Sequence, residues 1–352
     1  MRFGIVGAGV IGSIHARLIS AIAQERPGQA QLVAVTDISA ASASRLASDH
    51  DCLALASVDD LLARDDVDAV SICLPSGLHA KAAVAALEAG KHVIIEKPID
   101  ITLAAADEII AAERRSGRTV AVISQRRFQP GFRFLHDAAA GGRLGRVTTG
   151  IAESTFWRAQ SYYDADDWRG TQALDGGGAL MNQGIHILDL LTWVMGEPVE
   201  VSAYSAVLAH ERIEVEDTLT ASIRFVSGAL GALTATTGTY PDRPVRLTVA
   251  GDAGTAVVAD EKLSYLETRD GDSAAVGGGD AVRAAAAPLH IDDAHRAQYL
   301  DFLAAVRDNR PPLVTTADGR RALALVLAIY ESARNGGRPV PVPAGRGPVS
   351  AG

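Results

Sequence analysis

Short apolar runs alternate with amphipathic stretches through the first third of the chain. Phe3–Val6, Gln31–Thr36, Ala69–Leu74, Lys91–Pro98 and Thr119–Ile123 read as strands. Helical patterns separate them: Ser13–Glu25, a segment from Ser39 toward His50, a short piece at Val58–Ala63, a stretch ending at Leu87, and Leu103–Arg115. Runs such as Ala69–Leu74 are apolar almost without interruption, as a parallel strand covered on both faces requires. Strand and helix in regular alternation predict a doubly wound parallel sheet whose ligands sit at the carboxyl ends of its strands. Beyond Gln125 the pattern changes. Phe132–Ala140 looks helical, followed by strand candidates at Val147–Trp157, Val199–Leu208, Asp217–Phe225, Ala229–Thr237, Val245–Ala250, Gly254–Val258 and Leu263–Glu267. Turn residues such as Ser227-Gly228 join them, which predicts a largely antiparallel sheet. Thr268–Pro288 reads as a mobile loop, and Ile291–Asn309 and Thr316–Arg334 as helices. The expected division is an N-terminal domain over 1–124, a second α/β domain over 125–340 and a tail over 341–352.

Composition narrows the function classes. A chain of 352 residues with 48% apolar residues can fill two cores. With 33 basic against 42 acidic side chains the net charge is −9, which argues against a general nucleic-acid surface. No apolar run approaches the roughly 18 residues of a membrane span. Cys52 and Cys73 form neither a metal nor a disulfide pattern, which suits a reducing compartment and a cytoplasmic protein.

Chemistry enters at the end of the first strand. Gly7-Ala8-Gly9-Val10-Ile11-Gly12 places glycines at the first, third and sixth places of a strand-to-helix turn. Gly7 permits the sharp turn, Gly9 lets the backbone approach a pyrophosphate, and Gly12 lets the helix sit close on the strand. The helix N-terminus offers N–H groups to phosphates. Asp37, at the end of the second strand, stands where an acid binds the ribose hydroxyls and disfavours a 2′-phosphate. The expected cofactor is therefore NAD, with NADP possible because Arg45 could reach from the next helix. Glu96-Lys97-Pro98 follows another strand, at a sheet mouth where a partly desolvated lysine becomes useful for proton transfer. Taken alone, the pair reads as an ordinary surface salt bridge. A later segment, Leu174-Asp-Gly-Gly-Gly, leads into a helix with Asn182, His186 and either Asp189 or Leu190 on one face. His186 alone reads as a core histidine; together with Lys97 and the dinucleotide turn it reads as catalytic.

Gly4-Ile-Val-Gly-Ala-Gly-Val-Ile-Gly-Ser-Ile-His15, Leu74-Pro75 with His79, Glu96-Lys97-Pro98 and the later glycine-led helix together resemble the glucose–fructose oxidoreductase / inositol dehydrogenase / MocA family. The resemblance implies an N-terminal Rossmann domain and a C-terminal α/β domain with a large, mainly antiparallel, open-faced sheet used for oligomerisation. It also implies an NAD(P)-dependent dehydrogenase or reductase acting on a sugar, polyol or related compound. Cofactor contacts are then expected at Gly7, Gly9, Val10, Ile11, Gly12 and Asp37. Further contacts are expected at Leu74, Pro75, Ser76, His79, Glu96 and Lys97. Ser76 stands where the family commonly has Asn. Asn182 stands where an Asp is common; it cannot take up a proton, which leaves Lys97 and His186 as the catalytic candidates. Asn182, Arg158, Tyr163, Trp168 and Arg169 are substrate candidates, with Arg126, Arg127 and Trp157 also possible pocket or lid residues; each could equally be packing or surface. The partners expected are a small-molecule substrate and a second or further copies of the chain, as a dimer or tetramer formed through the C-terminal sheet. A glycoside-cleaving enzyme using NAD transiently, and a non-catalytic dinucleotide-sensing regulator, are the alternatives on the same fold.

Overall fold

The computed structural model describes residues 1–165, 168–271 and 280–345. The N-terminal apolar runs become β1 (Arg2–Val6), β2 (Gln31–Thr36), β3 (Leu53–Leu55), β4 (Ala69–Ile72), β5 (His92–Ile95) and β6 (Val120–Val122). All pair in parallel, in the order β3-β2-β1-β4-β5-β6. β4 and β6 are buried at every residue, as their unbroken apolar sequences require. The order reverses at β1, between β2 and β4, and this opens a crevice outside the carboxyl ends of β1 and β4. β3 was not expected; it is a three-residue edge strand with two exposed positions, too short for a periodic signal.

The first compact unit comprises Met1–Gln125 together with Ile291–Arg320. This corrects the expectation that 125–340 forms one domain. The helix Ile291–Arg307 buries Tyr299 and Phe302 against Phe3, with ring centroids 5.7 and 6.3 Å apart. Its Gln298 donates to Val122 O and accepts from Ser124 N, closing the margin of β6.

The second unit comprises Arg126–His290 and Arg321–Gly352. Its eight strands are β7 (Val147–Thr155), β8 (Pro198–Ala206), β9 (Thr218–Phe225), β10 (Leu230–Thr236), β11 (Arg246–Gly251), β12 (Gly254–Ala259), β13 (Lys262–Thr268) and β14 (Val340–Pro341). They pair in the order β13-β12-β11-β7-β10-β9-β8-β14, antiparallel except for the parallel pair β7 and β10. Helices Pro130–Ala140 and Ile185–Met195 pack on one face. The alternation of buried and exposed residues along β9 shows that the opposite face is open among the described residues. That face is more mixed than expected: Ile151, Tyr204 and Leu230 are exposed on it, beside the pairs Arg224–Glu200 and Arg246–Glu153. Within the stretch expected as a mobile loop, Asp280–Ala285 is helical; 272–279 and the end of the tail, 346–352, lie outside the described residues. No helix among the described residues is long and apolar enough to cross a membrane.

Candidate functional site

Gly7 adopts φ +101°, and a Cβ there would lie 2.3 Å from Cys73 O, so only glycine closes this turn beside β4. A Cβ on Gly12 would lie 1.9 Å from Gly7 O, which is the close helix-on-strand packing expected of the third glycine. Gly9 differs: no atom lies within 4 Å of its Cβ position, leaving that side of the turn open. Gly9 is also the N-cap of the helix Val10–Glu25, and no side chain caps it or places an acid in the first turn. The first N–H groups of this helix are therefore available to an anion. Val10 and Ile38 are exposed and Ile11 partly so, giving apolar surface on both sides of Asp37 and the turn. One Asp37 oxygen accepts from Ala8 N (2.6 Å) and the other from Ser39 N (2.7 Å). The carboxylate is thus oriented, with lone pairs left for two ribose hydroxyls. These features fit a dinucleotide.

The strand ends next to this turn are held by buried polar side chains. Leu74 and Pro75 are half-buried and Ser76 is buried at the start of a short 3-10 turn, Ser76–Leu78. His79 has its Nδ1 2.8 Å from Pro98 O and its Nε2 2.9 Å from Leu74 O. Burial pushes its pKa down, so the neutral ring donates to one carbonyl at a time. His79 therefore braces the ends of β4 and β5, with both ring nitrogens turned to backbone carbonyls. Lys97 is half-buried, is separated from the end of β5 by Glu96 alone, and precedes Pro98 through a cis peptide. Its N–H donates to Glu96 Oε2 (3.1 Å). Glu96 itself is buried and bonded to His15, so it supports the turn from inside and is no ordinary surface partner of Lys97.

In the second unit His186 sits in the first turn of the helix Ile185–Met195, half-buried. A π turn, Leu180–Gly184, precedes it, and Ile185 N–H reaches back five residues to Leu180 O. Such wide turns recur at functional sites. The glycines before it serve the chain's own packing: a Cβ on Gly178 would lie 1.7 Å from Glu216 O, and one on Gly177 2.3 Å from Tyr330 Oη. Glu216 is buried, and its carboxylate accepts from Gly178 N (3.0 Å), Leu180 N (2.9 Å) and Tyr330 OH (2.9 Å). It caps the helix start from 36 residues further along the chain, just before β9, a role that no local sequence signal announces. Burial pushes its pKa up despite these donors. Asn182 donates its amide to Asp175, whose other oxygen accepts from Gly170 N (2.9 Å). A carboxylate therefore does stand beside position 182, supplied by Asp175 seven residues earlier; the sequence reading missed it.

The remaining candidates separate by burial. Tyr163 is buried, its hydroxyl 2.8 Å from Thr237 Oγ1, and burial pushes its phenol up to about 12. It packs the loop against the end of β10 through Thr237. Arg127 is buried in a bidentate pair with Asp189 (2.6 and 2.7 Å) and lies over Trp193, while Arg126 pairs with Glu261; both are internal ties. Arg158, Trp168 and Arg169 are half-buried. The Arg158 guanidinium lies over Phe156 and Tyr162, and that of Arg169 over Tyr162 and Trp168, so two cations share one aromatic cluster.

Comparison with known proteins agrees with both units. Residues 1–124 match the family model described as oxidoreductase family, NAD-binding Rossmann fold, and residues 132–257 match the GFO/IDH/MocA C-terminal domain. The chain is 30% identical to the UDP-N-acetylglucosamine 3-dehydrogenase of Acidithiobacillus ferrooxidans, across 94% of this chain and 96% of that one. It is 28% identical to the inositol 2-dehydrogenase of Rhizobium meliloti, across 94% and 96%. Among solved structures, the WlbA dehydrogenase from Bordetella pertussis, in complex with NADH and UDP-GlcNAcA, superposes with a TM-score of 0.85 at 32% identity, covering 98% of this chain and 99% of that one.

Proposed function

The chain belongs to the GFO/IDH/MocA family of NAD-binding oxidoreductases, and from that premise we propose that it oxidises a hydroxyl group of a sugar, a polyol or a nucleotide-linked sugar. The observation that carries the reading is the open, uncapped glycine turn beside an oriented Asp37, together with Lys97 at the end of β5 and His186 on a glycine-led helix. Gly7, Gly9, Gly12 and Asp37 hold the dinucleotide, with Val10, Ile11 and Ile38 offering apolar contact. When bound, the nicotinamide accepts the hydride from the carbinol carbon or returns it to a ketone. Lys97 hydrogen-bonds the reacting oxygen and stabilises charge there, and His186 takes the hydroxyl proton as general base. Asn182, already donating to Asp175, offers its carbonyl oxygen to a substrate hydroxyl.

Among substrates, a nucleotide-linked sugar acid is favoured by one feature: the guanidinium groups of Arg158 and Arg169 share an aromatic cluster, and such a group recognises carboxylate or phosphate while the rings take a base or sugar face. The test is NADH formation over a panel of inositols, free sugars, sugar acids, UDP-N-acetylglucosamine and its uronic acid. Turnover of none of them with either cofactor overturns the dehydrogenase reading and leaves the regulator. Cleavage of a glycoside without net NADH would point to transient oxidation.

NAD is favoured over NADP because Asp37 repels a 2′-phosphate. Hydrogen bonds to charged groups contribute about 1.5–3 kcal/mol, so Asp37→Ser should narrow the NADH-over-NADPH preference by about 10- to 100-fold. Tighter binding of NADPH than NADH by the wild-type chain refutes the assignment. The open sheet face, with Tyr204 66% and Leu230 58% exposed, supports association into a dimer or tetramer through β7–β10. Light scattering at micromolar concentration should show it, and a lone monomer would contradict it; Leu230→Arg should weaken association.

A further inference from the structure

The hydride-transfer reading leaves one buried cluster unused. His15, fully buried on the helix Val10–Glu25, has its Nε2 3.0 Å from Glu96 Oε1. Its Nδ1 lies 2.6 Å from Ser71 Oγ, 2.8 Å from Tyr299 Oη and 3.3 Å from Cys73 Sγ. The other oxygen of Glu96 accepts from the N–H of Lys97. His295 stands edge-on to His15, ring centroids 6.2 Å apart, with its Nδ1 unbonded among the described residues. Every one of these groups belongs to the first unit.

Burial alone would discharge both His15 and Glu96, because an isolated buried ion is costly. Against that burial, the contacts with Cys73 and Glu96 hold His15 up to about 10, and the bond from His15 holds Glu96 far below the usual carboxylate range. Burial drives His295 down to about 4, opposed by Glu96 and reinforced by His15. Around neutrality the cluster therefore holds one imidazolium, one carboxylate and one neutral imidazole. Ser71 is uncharged, and burial keeps the Tyr299 phenol protonated. Across the Lys97–Pro98 turn stand Asp100, whose oxygens accept from Ala80 N and Ile101 N, and His79, which burial keeps neutral.

We propose that His15 is a positioning residue for Lys97: its imidazolium neutralises the Glu96 carboxylate and fixes the group that holds the Lys97 backbone. The same helix presents its N-terminus to the dinucleotide phosphates, so one buried ion pair ties the cofactor helix to the strand end that carries the lysine. The inference rests on the proton-handling role given to Lys97. Its electrical consequence is specific. Without the imidazolium, burial pushes the Glu96 carboxyl up, yet at the alkaline pH where a lysine titrates it is ionised again and stands uncompensated beside Lys97; a nearby opposite charge favours the protonated amine by about one to three pKa units.

The test reads Lys97 directly and needs no substrate. The chain has four lysines, Lys81, Lys91, Lys97 and Lys262, so reductive methylation with carbon-13 formaldehyde gives few resonances, and Lys97→Arg assigns the one of interest. His15→Phe should raise the titration midpoint of Lys97 by about one to three units, and His15→Phe with Glu96→Gln should bring it back toward the wild-type value. If His15→Phe does not fold, His15→Gln, a neutral donor, carries the same expectation. An unchanged midpoint in a folded His15 variant, or no reversal in the double variant, overturns the proposal. Loss of activity in Lys97→Ala alongside an unchanged midpoint would sink this inference and leave the role of Lys97 standing; full activity in Lys97→Ala would sink that role itself.

Discussion

Alanine at Lys97 or at His186 should lower kcat by about a hundredfold to ten-thousandfold, the usual contribution of general acid–base catalysis, with the dissociation constant for NADH changed less than about threefold. On the proposed reading the glycine turn and Asp37 hold the cofactor, and neither substitution touches them. Steady-state kinetics with the best substrate of the panel and fluorescence titration of NADH measure the two quantities. If both side chains serve one proton transfer, the double variant loses less than the product of the single losses, since the second substitution removes a group already idle. A folded His186→Ala enzyme with near-normal kcat would return this histidine to packing and leave proton transfer to Lys97. Equal additive losses would assign the two residues to separate steps.

Gly178→Ala should be the most damaging single methyl in the second unit. The added carbon would sit 1.7 Å from Glu216 O, and the obstacle is backbone, which cannot swing away as a side chain does. Relief requires moving the helix start from Glu216, which stretches the bonds from Gly178 N, Ala179 N and Leu180 N together. The buried Glu216 carboxylate would then keep only the Tyr330 hydroxyl. Overpacking costs about 1–3 kcal/mol and a stranded buried polar group a further 1–3 kcal/mol, so a loss of about 2–6 kcal/mol is expected. Urea unfolding should show it as a lowered midpoint with an unchanged slope. Activity should fall as well, because His186 follows the displaced segment by two turns. Gly28→Ala makes a useful contrast: no atom crowds that position, although its φ of +83° carries the ordinary strain of a left-handed residue. A Gly178→Ala protein with the wild-type midpoint would show that the helix start moves without cost.

The sequence disclosed what local pattern and spacing can encode. The doubly wound sheet was legible because buried parallel strands are unbroken apolar runs, and the dinucleotide turn because three glycines each answer a different steric demand. The seven expected strands of the second sheet lie within a residue or two of β7–β13. What stayed hidden depends on partners distant in the chain. Arg127 was open between pocket, packing and surface until Asp189, 62 residues later, proved to hold it. Tyr163 likewise found Thr237, 74 residues away. The place of His79 between two carbonyls, one at the end of β4 and one just after β5, depends on strand adjacency that no local pattern shows. The π turn before His186 is invisible to a search for 3.6-residue periodicity. Its cause is external: the Glu216 carboxylate and backbone hold the segment that precedes it.

The return of Ile291–Arg320 to the first unit has a bearing on how the protein is made. Phe302 and Tyr299 pack on Phe3 at the chain's opposite end, and Tyr299 also reaches Ser71, 228 residues before it. A nascent chain released as far as residue 125 holds all six strands of its sheet but lacks the aromatic side chains that seal its core. It must wait for some 165 further residues, which build most of another unit, before that gap closes. Contacts so remote in sequence form late and slow folding. On the ribosome, the dinucleotide-binding half that begins first should therefore be completed only after most of the other half has emerged.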